Sequence, residues 1–197
     1  FYLDDMEFAQ VVVGNMKNFT YIVGDTDTQT GVIIDPGRDI DKIITKVRIM
    51  GLEIKYILNT HSHWDHTMGN KETAQRTGAK IAIHESAPIQ KDMALKDKEV
   101  LKLGQQSIKV IHTPGHTPDS VCYLVTNKNE KKKKSGQEKG KDSKKNRRSK
   151  EIIRPFLTLK KETKLSPFLL PKIIRYGDSL IFAIILLCVT GKHIKNL

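Results

Sequence analysis

The chain has 197 residues, enough for one substantial domain and short for two, and its 38% hydrophobic and 28% charged content is ordinary for a water-exposed globular protein. The formal net charge of +12 is not ordinary, but it is unevenly placed: residues 1–127 carry 14 Lys and Arg against 16 Asp and Glu, residues 128–150 carry 12 against 3, and residues 151–197 carry 8 against 3. Two isolated cysteines, Cys122 and Cys188, no basic-then-apolar leader, and a longest apolar run (Leu180 to Val189) of half the ~20 residues of a membrane span exclude a disulfide scaffold and a spanning helix; a reducing, cytoplasmic compartment and no membrane partner are expected.

Val11-Val12-Val13 and Thr20 to Val23 are rich in β-branched residues and read as strands. Polar Asp25 to Thr30 turns the chain, Gly31 leads into the strand Val32-Ile33-Ile34, and Asp35-Pro36-Gly37 stops it. Asp39 is placed to cap a helix in which Ile40, Ile43, Ile44, Val47 and Met50 recur at helical spacing, with Gly51 at the stop. Tyr56-Ile57-Leu58 is the next strand, so 32–58 forms a β-α-β unit. Beyond the histidines, Asn70 to Thr77 is a short helix ended by Gly78, and Ile81 to Ile83, Ile108 to Ile111 and Val121 to Val125 are strands. This alternation predicts a layered α/β domain with binding loops at strand ends.

The segment 128–150 is Lys, Ser, Gly, Asn and Glu with almost nothing apolar, and cannot bury enough surface to offset chain entropy; it is expected to be a disordered, solvated insertion. Lys131 to Lys134 and Lys144 to Arg148 are able to release counterions from phosphates, so nucleic acid stands as the lesser reading of this segment, with no interleaved aromatic residue to stack on bases.

The chemistry concentrates in His61-Ser62-His63-Trp64-Asp65-His66, directly after an apolar strand. Alternation puts His61, His63 and Asp65 on one side of an extended segment, and imidazole is a good ligand for zinc or iron. Three histidines and an aspartate within six residues are costly to bury unless they are coordinated. His116, in the turn Thr113-Pro114-Gly115-His116-Thr117 after another strand, is the natural third ligand, and Asp178 in Gly177-Asp178-Ser179-Leu180 could bridge two ions. His84, His112 and His193 are read as structural, and Ser179 as a nucleophile is unsupported because no partner motif follows.

Ile57 to His66 together with His112 to Thr117 resembles the metallo-β-lactamase superfamily. The His-Trp-Asp-His wording, Asp35-Pro36-Gly37 and Ser120-Val121-Cys122-Tyr123 are similar to its glyoxalase II-like (hydroxyacylglutathione hydrolase-like) branch, over residues 9–127 and Gly177 to Phe182. The resemblance implies an αββα sandwich with metals at one edge of the two sheets, here expected to be incomplete at the C-terminus. Residues 1–127 would form the core and 151–197 a divergent C-terminal part of the same fold. It implies His61, His63 and His116 as ligands of one ion, Asp65 and His66 of another, and Asp178 shared, with zinc as cofactor (one or two ions, iron being possible).

Three departures bear on this: Met68 stands where a small residue is common, a long basic stretch precedes Gly177-Asp178, and the chain ends 19 residues after Asp178 with His193 in unrelated surroundings. The second metal site is therefore expected to be incomplete and the chain truncated. The expected activity is hydrolysis of a thioester or similar small acyl compound by hydroxide formed on the metal, with Asp65 as the catalytic residue that holds the water and passes its proton on. The alternatives are a β-lactamase or lactonase on the same scaffold, a mononuclear-iron persulfide dioxygenase-like enzyme, and a degenerate protein whose basic insertion binds nucleic acid.

Overall fold

The structure, a computed structural model, describes residues 2–3, 6–127, 172–176 and 179–184. A first sheet opens with strands β1 (Tyr2–Leu3), β2 (Met6–Val13), β3 (Asn18–Asp25) and β4 (Thr30–Ile34), each antiparallel to the next. Helix α1 (Ile40–Ile49) then crosses over, and β5 (Glu53–Leu58), β6 (Lys80–His84) and β7 (Met93–Leu95) extend the sheet in parallel, giving the order β1-β2-β3-β4-β5-β6-β7. Between β5 and β6 lie the short helices α2 (Trp64–Thr67) and α3 (Asn70–Thr77). The second sheet is antiparallel throughout: β8 (Val100–Leu103), β9 (Gln106–His112), β10 (Val121–Asn127), β11 (Lys172–Tyr176) and β12 (Ser179–Ile184), ordered β11-β12-β10-β9-β8.

The pleat of the first sheet sends neighbouring residues to two cores. Tyr21, Val23, Val32, Ile34 and Leu58 meet Leu101, Ile108, Val110, Val121 and Tyr123 of the second sheet. Ile22, Ile33 and Ile57, on the opposite face, meet Ile40, Ile43, Ile44 and Val47 of α1. Each fully buried aliphatic side chain contributes on the order of 1.5–3 kcal/mol, and strands buried on both faces explain why Val32-Ile33-Ile34 is continuously apolar. Helix, sheet and sheet thus form successive layers, and among the described residues helices cover only the first sheet.

Three expectations change. Strand β2 begins at Met6 rather than Val11: Glu7 and Gln10 disguise it, but the antiparallel register with β3 runs unbroken from Met6↔Asp25 to Val13↔Asn18. Strands β7 and β8 were not anticipated because they are short and flanked by Lys, Asp and Glu; backbone pairing to β6 and β9 makes them. Asp39 does sit at the N-cap of α1, but in the left-handed region (φ 54°) with no capping bond; its Oδ2 instead accepts the N–H of Gly14 at 2.9 Å, tying the β2–β3 turn to the start of α1.

At the end of the sheets away from the histidine motif, buried Asp25 accepts hydrogen bonds from the Thr28 N–H (2.8 Å), the Thr28 hydroxyl (2.9 Å) and the Gln105 N–H (2.7 Å), joining the β3–β4 turn to the β8–β9 turn. At the motif end the constraint is steric. A Cβ on Gly37 would lie 1.9 Å from the Asp65 carbonyl oxygen, and one on Gly69 would lie 2.1 Å from the Pro36 carbonyl oxygen, so the β4–α1 loop and the histidine loop interlock backbone to backbone. Gly78, by contrast, ends α3 at φ 74° with open space around it. Gly37→Ala is therefore expected to cost more than about 3 kcal/mol in chemical denaturation, against about 1 kcal/mol for Gly78→Ala; equal costs for the two would contradict the interlock.

Candidate metal centre

Strand β5 ends at Leu58, and the chain beyond it stays buried through Asn59, Thr60 and His61. The second sheet is fastened to this segment directly: the Val121 N–H donates to the Thr60 carbonyl (2.8 Å) and the Tyr123 hydroxyl to the Asn59 carbonyl (2.7 Å). The β9–β10 loop therefore leaves and re-enters the second sheet beside the motif. It is shaped internally by Ser120, whose Oγ accepts the Thr117 N–H (3.1 Å) and lies 2.8 Å from the Thr117 hydroxyl, and by Thr113, whose N–H donates to the Ser120 carbonyl. His116 sits at its tip.

The outcome is a triangle of imidazoles from two loops. Ring centroids lie 4.7 Å apart for His61–His63, 4.9 Å for His61–His116 and 4.6 Å for His63–His116, with interplanar angles of 76°, 72° and 89°. The rings meet at steep angles rather than stacking, and one nitrogen from each lies within 4.8 Å of the others. His116 Nε2 and His63 Nδ1 are 3.0 Å apart. Two nitrogens bound to one tetrahedral zinc at ~2.0–2.1 Å would lie about 3.3 Å apart, so the spacing suits a shared cation. His61 is buried while His63 is exposed, so the group is anchored on one side and open to solvent on the other. Catalytic metal sites need such an open position.

Asp35, which begins the turn after β4, organises these rings. Its Oδ1 accepts the Thr60 N–H (2.8 Å); its Oδ2 accepts the Thr60 hydroxyl (2.6 Å) and lies 3.0 Å from His66 Nδ1. Because the Thr60 hydroxyl gives its one proton to Asp35, it can only accept at His61 Nδ1, 2.9 Å away. That fixes the proton of His61 on Nδ1 and its lone pair on Nε2; the bond to Asp35 does the same for His66. Asp35 is 1% exposed and adopts φ 54°, a conformation unfavourable for a residue other than glycine. Asp35, His61 and His66 also bring ligand atoms within 4.8 Å of one another, but the carboxylate oxygens are already engaged, so Asp35 is the orienting group and not a ligand.

Asp65 and His66 stand together on α2, with Asp65 Oδ2 3.8 Å from His66 Nε2, near enough to grip a second cation. The extended alternation stops at His63 (φ −60°, ψ 141°), and the helical turn Trp64–Thr67 brings the His66 ring to 4.4 Å, centroid to centroid, from that of His61. Asn18 at the start of β3 donates its side-chain amide to Asp65 Oδ2 (2.9 Å). A reciprocal Asn59–Asn70 amide pair (2.7 and 3.2 Å), with Asn59 Nδ2 also on the His66 carbonyl (3.1 Å), clamps the motif to α3.

The electrostatics follow from these contacts. Burial pulls His61 down to about 4, with the neighbouring histidines adding to the effect and Asp35 opposing it, so its ring is neutral and able to ligate near pH 7. His116 is lowered by burial and by His63 and His66. Burial also opposes protonation of His66, but Asp35 outweighs it and raises that ring above its ordinary value. Burial pushes Asp65 up, yet the Asn18 hydrogen bond and His66 prevail, and the carboxyl ends below its ordinary value.

The structure thus brings together His61, His63 and His116, and sets Asp65 and His66 beside them; Asp178, His193 and the basic segment 128–150 lie outside the described residues. His84 and His112 stack face to face (centroids 4.0 Å, 13°) and bond to Ser86 and to the Pro118 carbonyl. Sequence reading passed over Asn18, Asn59, Thr60 and Asn70, and gave Asp35 no role. The available signal was polar residues at the buried ends of apolar strands.

Residues 13–129, more than half of the chain, match the metallo-beta-lactamase superfamily model, and the chain belongs to that superfamily. It is 36% identical over 122 residues to a hydroxyacylglutathione hydrolase of Polaromonas sp., covering 59% of this chain and 46% of that protein. It is 32% identical over 117 residues to a probable polyketide biosynthesis zinc-dependent hydrolase, BaeB, of Bacillus velezensis, covering 56% and 52%. The crystal structure of ETHE1 from Myxococcus xanthus superposes with a TM-score of 0.57 at 28% identity, over 60% of this chain and 53% of that one. The chain spans about half the length of the curated relatives it matches.

Asp35→Ala would strand the Thr60 and His66 donors in a buried site and free both rings to turn. It is expected to lower the melting free energy by about 3–5 kcal/mol and the zinc affinity by roughly 10–100-fold. Calorimetry and a competitive chelator titration measure the two, and an Asp35→Ala protein with unchanged zinc affinity would contradict the orienting role.

Proposed function

We propose that the chain is a metal-dependent hydrolase that cleaves a thioester of the hydroxyacylglutathione type, with zinc as its metal. The observation that carries the reading is the steeply inclined triangle of His61, His63 and His116, buried on the His61 side and exposed on the His63 side, each ring contributing one nitrogen within 4.8 Å of the others. Relatives named hydroxyacylglutathione hydrolase and zinc-dependent hydrolase support the substrate and the metal. In this reading His61, His63 and His116 would hold the first ion, Asp65 and His66 would serve a second, and Asp178, outside the described residues, would be the shared ligand.

When bound, such an ion supplies Lewis acidity, bringing the pKa of water to about 7 and withdrawing charge from a carbonyl oxygen. The protein's own residues do the rest. His61 enters the reaction already neutral because burial keeps its proton affinity low. Asp35, through Thr60 and directly, keeps the Nε2 lone pairs of His61 and His66 available. Asp65, held ionised by Asn18, accepts the proton of the attacking water and passes it to the departing sulfur. A thiolate is a good leaving group and needs little further help, so one carboxylate in that position suffices.

The full chain loaded with zinc is expected to hydrolyse a glutathione thioester, to lose that activity on chelation and to regain it when zinc is restored. His116→Ala should cost at least about a hundredfold in kcat/KM while the melting temperature changes little, because the residue lies on an open loop. Thioester turnover that survives chelation, or a zinc-loaded chain that hydrolyses a β-lactam and no thioester, would contradict the reading.

A further inference from the structure

Beside Asp65, the β2–β3 turn, the segment leading into α1 and the start of α2 form an open cavity of about 240 Å³ lined chiefly by Val13, Met16, Asn18, Arg38, Trp64 and Asp65. Its walls are unusual for a protein surface. Trp64 is 59% exposed and Met16 64%, so two large apolar side chains face solvent beside Asp65. The guanidinium of Arg38 lies 5.7 Å from the centroid of the Trp64 ring, a cation–π distance. Among the described residues no carboxylate lies within ion-pair distance of Arg38.

The cavity is held open by contacts that owe nothing to a ligand. Gly14 adopts φ +64°, and the Arg38 side chain packs 3.0 Å from where its Cβ would stand. Asp39 Oδ2 accepts the Gly14 N–H at 2.9 Å, and Lys42 Nζ donates to the Val12 carbonyl at 2.7 Å. The turn is therefore clamped at three points to the segment that carries Arg38, and binding there has little ordering cost to overcome.

We infer that this cavity is the subsite for a carboxylate-bearing arm of the substrate and that Arg38 selects that arm, which belongs to the thioester if the function proposed above holds. An apolar trough bearing a guanidinium that pairs with no carboxylate among the described residues is complementary to a short methylene chain ending in an anion. Arginine recognises carboxylates in a forked, charge-assisted geometry. Asp65, which also lines the cavity, disfavours an anion near itself, which orients the arm with its charge at Arg38 and its reacting end toward the histidines.

Trp64 is the only tryptophan of the chain, so its emission reports the cavity alone. The full zinc-loaded chain should be titrated with a pentanoate carrying a terminal methylthio group, and with the methyl ester of the same compound. Neither contains a thioester, so binding is read whether or not the chain proves to be a thioesterase. The acid should change Trp64 emission saturably and bind about tenfold more tightly than the ester, the preference expected of one partly exposed charge-assisted pair. Arg38→Gln should abolish the preference, and Arg48→Gln, which removes an equal charge from the exposed last turn of α1, should keep it.

In turnover, Arg38→Gln should raise KM about tenfold with kcat nearly unchanged, and only for thioesters whose carboxylate is on the side the cavity receives. Loss with a succinyl thioester of a neutral thiol assigns the acyl side, and loss with a neutral acyl group on glutathione assigns the thiol side. Equal binding of acid and ester, a preference that persists in Arg38→Gln, no saturable response to either probe, or a fall in kcat shared by neutral thioesters would each overturn the inference.

Discussion

The centre depends on a single buried carboxylate. Asp35 sits at the end of β4, almost wholly withdrawn from water, in a backbone conformation few side chains tolerate, and its two oxygens gather the Thr60 N–H, the Thr60 hydroxyl and His66 Nδ1. Removing a carboxylate from water costs several kcal/mol, which is offset only where geometry and hydrogen bonding are good. Here the compensation comes entirely from the loop that carries the histidines. The same bonds that make Asp35 tolerable therefore also decide which nitrogen of each ring is left to ligate. Stability and function share one set of contacts, and the close approach of Gly37 to the Asp65 carbonyl leaves no room for the two loops to drift apart.

The second sheet contributes the other half of the centre, and it does so through the backbone. Val121 and Tyr123 bond to the carbonyls of Thr60 and Asn59, so the β9–β10 loop is registered against the motif before any side chain at its tip matters. His116 needs only to reach across a gap whose width is already fixed. This explains how a residue 55 positions along from His61 arrives with ring centroids 4.9 Å apart. It also separates two kinds of histidine in the chain. His61, His63 and His116 meet edge on and converge, whereas His84 and His112 lie flat on each other and spend their nitrogens on Ser86 and the Pro118 carbonyl.

Much of this was legible in the sequence, for physical reasons that can be named. Val32-Ile33-Ile34 and Tyr56-Ile57-Leu58 around an amphipathic helix define a parallel unit because only strands buried on both faces are apolar throughout. The histidine wording and the distant Thr-Pro-Gly-His turn single out the imidazoles that the structure brings together, because that density of imidazole has few other uses. Hidden from a linear reading were the features that act across the chain. Asp35 looked like a turn residue, since nothing local reveals that its carboxylate will lie under His66. Asp39 looked like a helix cap, but its oxygen was claimed by Gly14, 25 residues earlier. Strands β7 and β8 are defined by their neighbours, not by their own residues.

The most direct test of the central claim is X-ray absorption at the zinc edge of the full chain, alongside its His116→Ala variant. The account predicts a first shell of nitrogen and oxygen at about 2.0–2.1 Å with the outer-shell scattering of three imidazoles, falling by one imidazole in the variant. A spectrum that His116→Ala leaves unchanged, or a zinc shell dominated by sulfur at about 2.3 Å, would contradict the convergence of two loops on one ion.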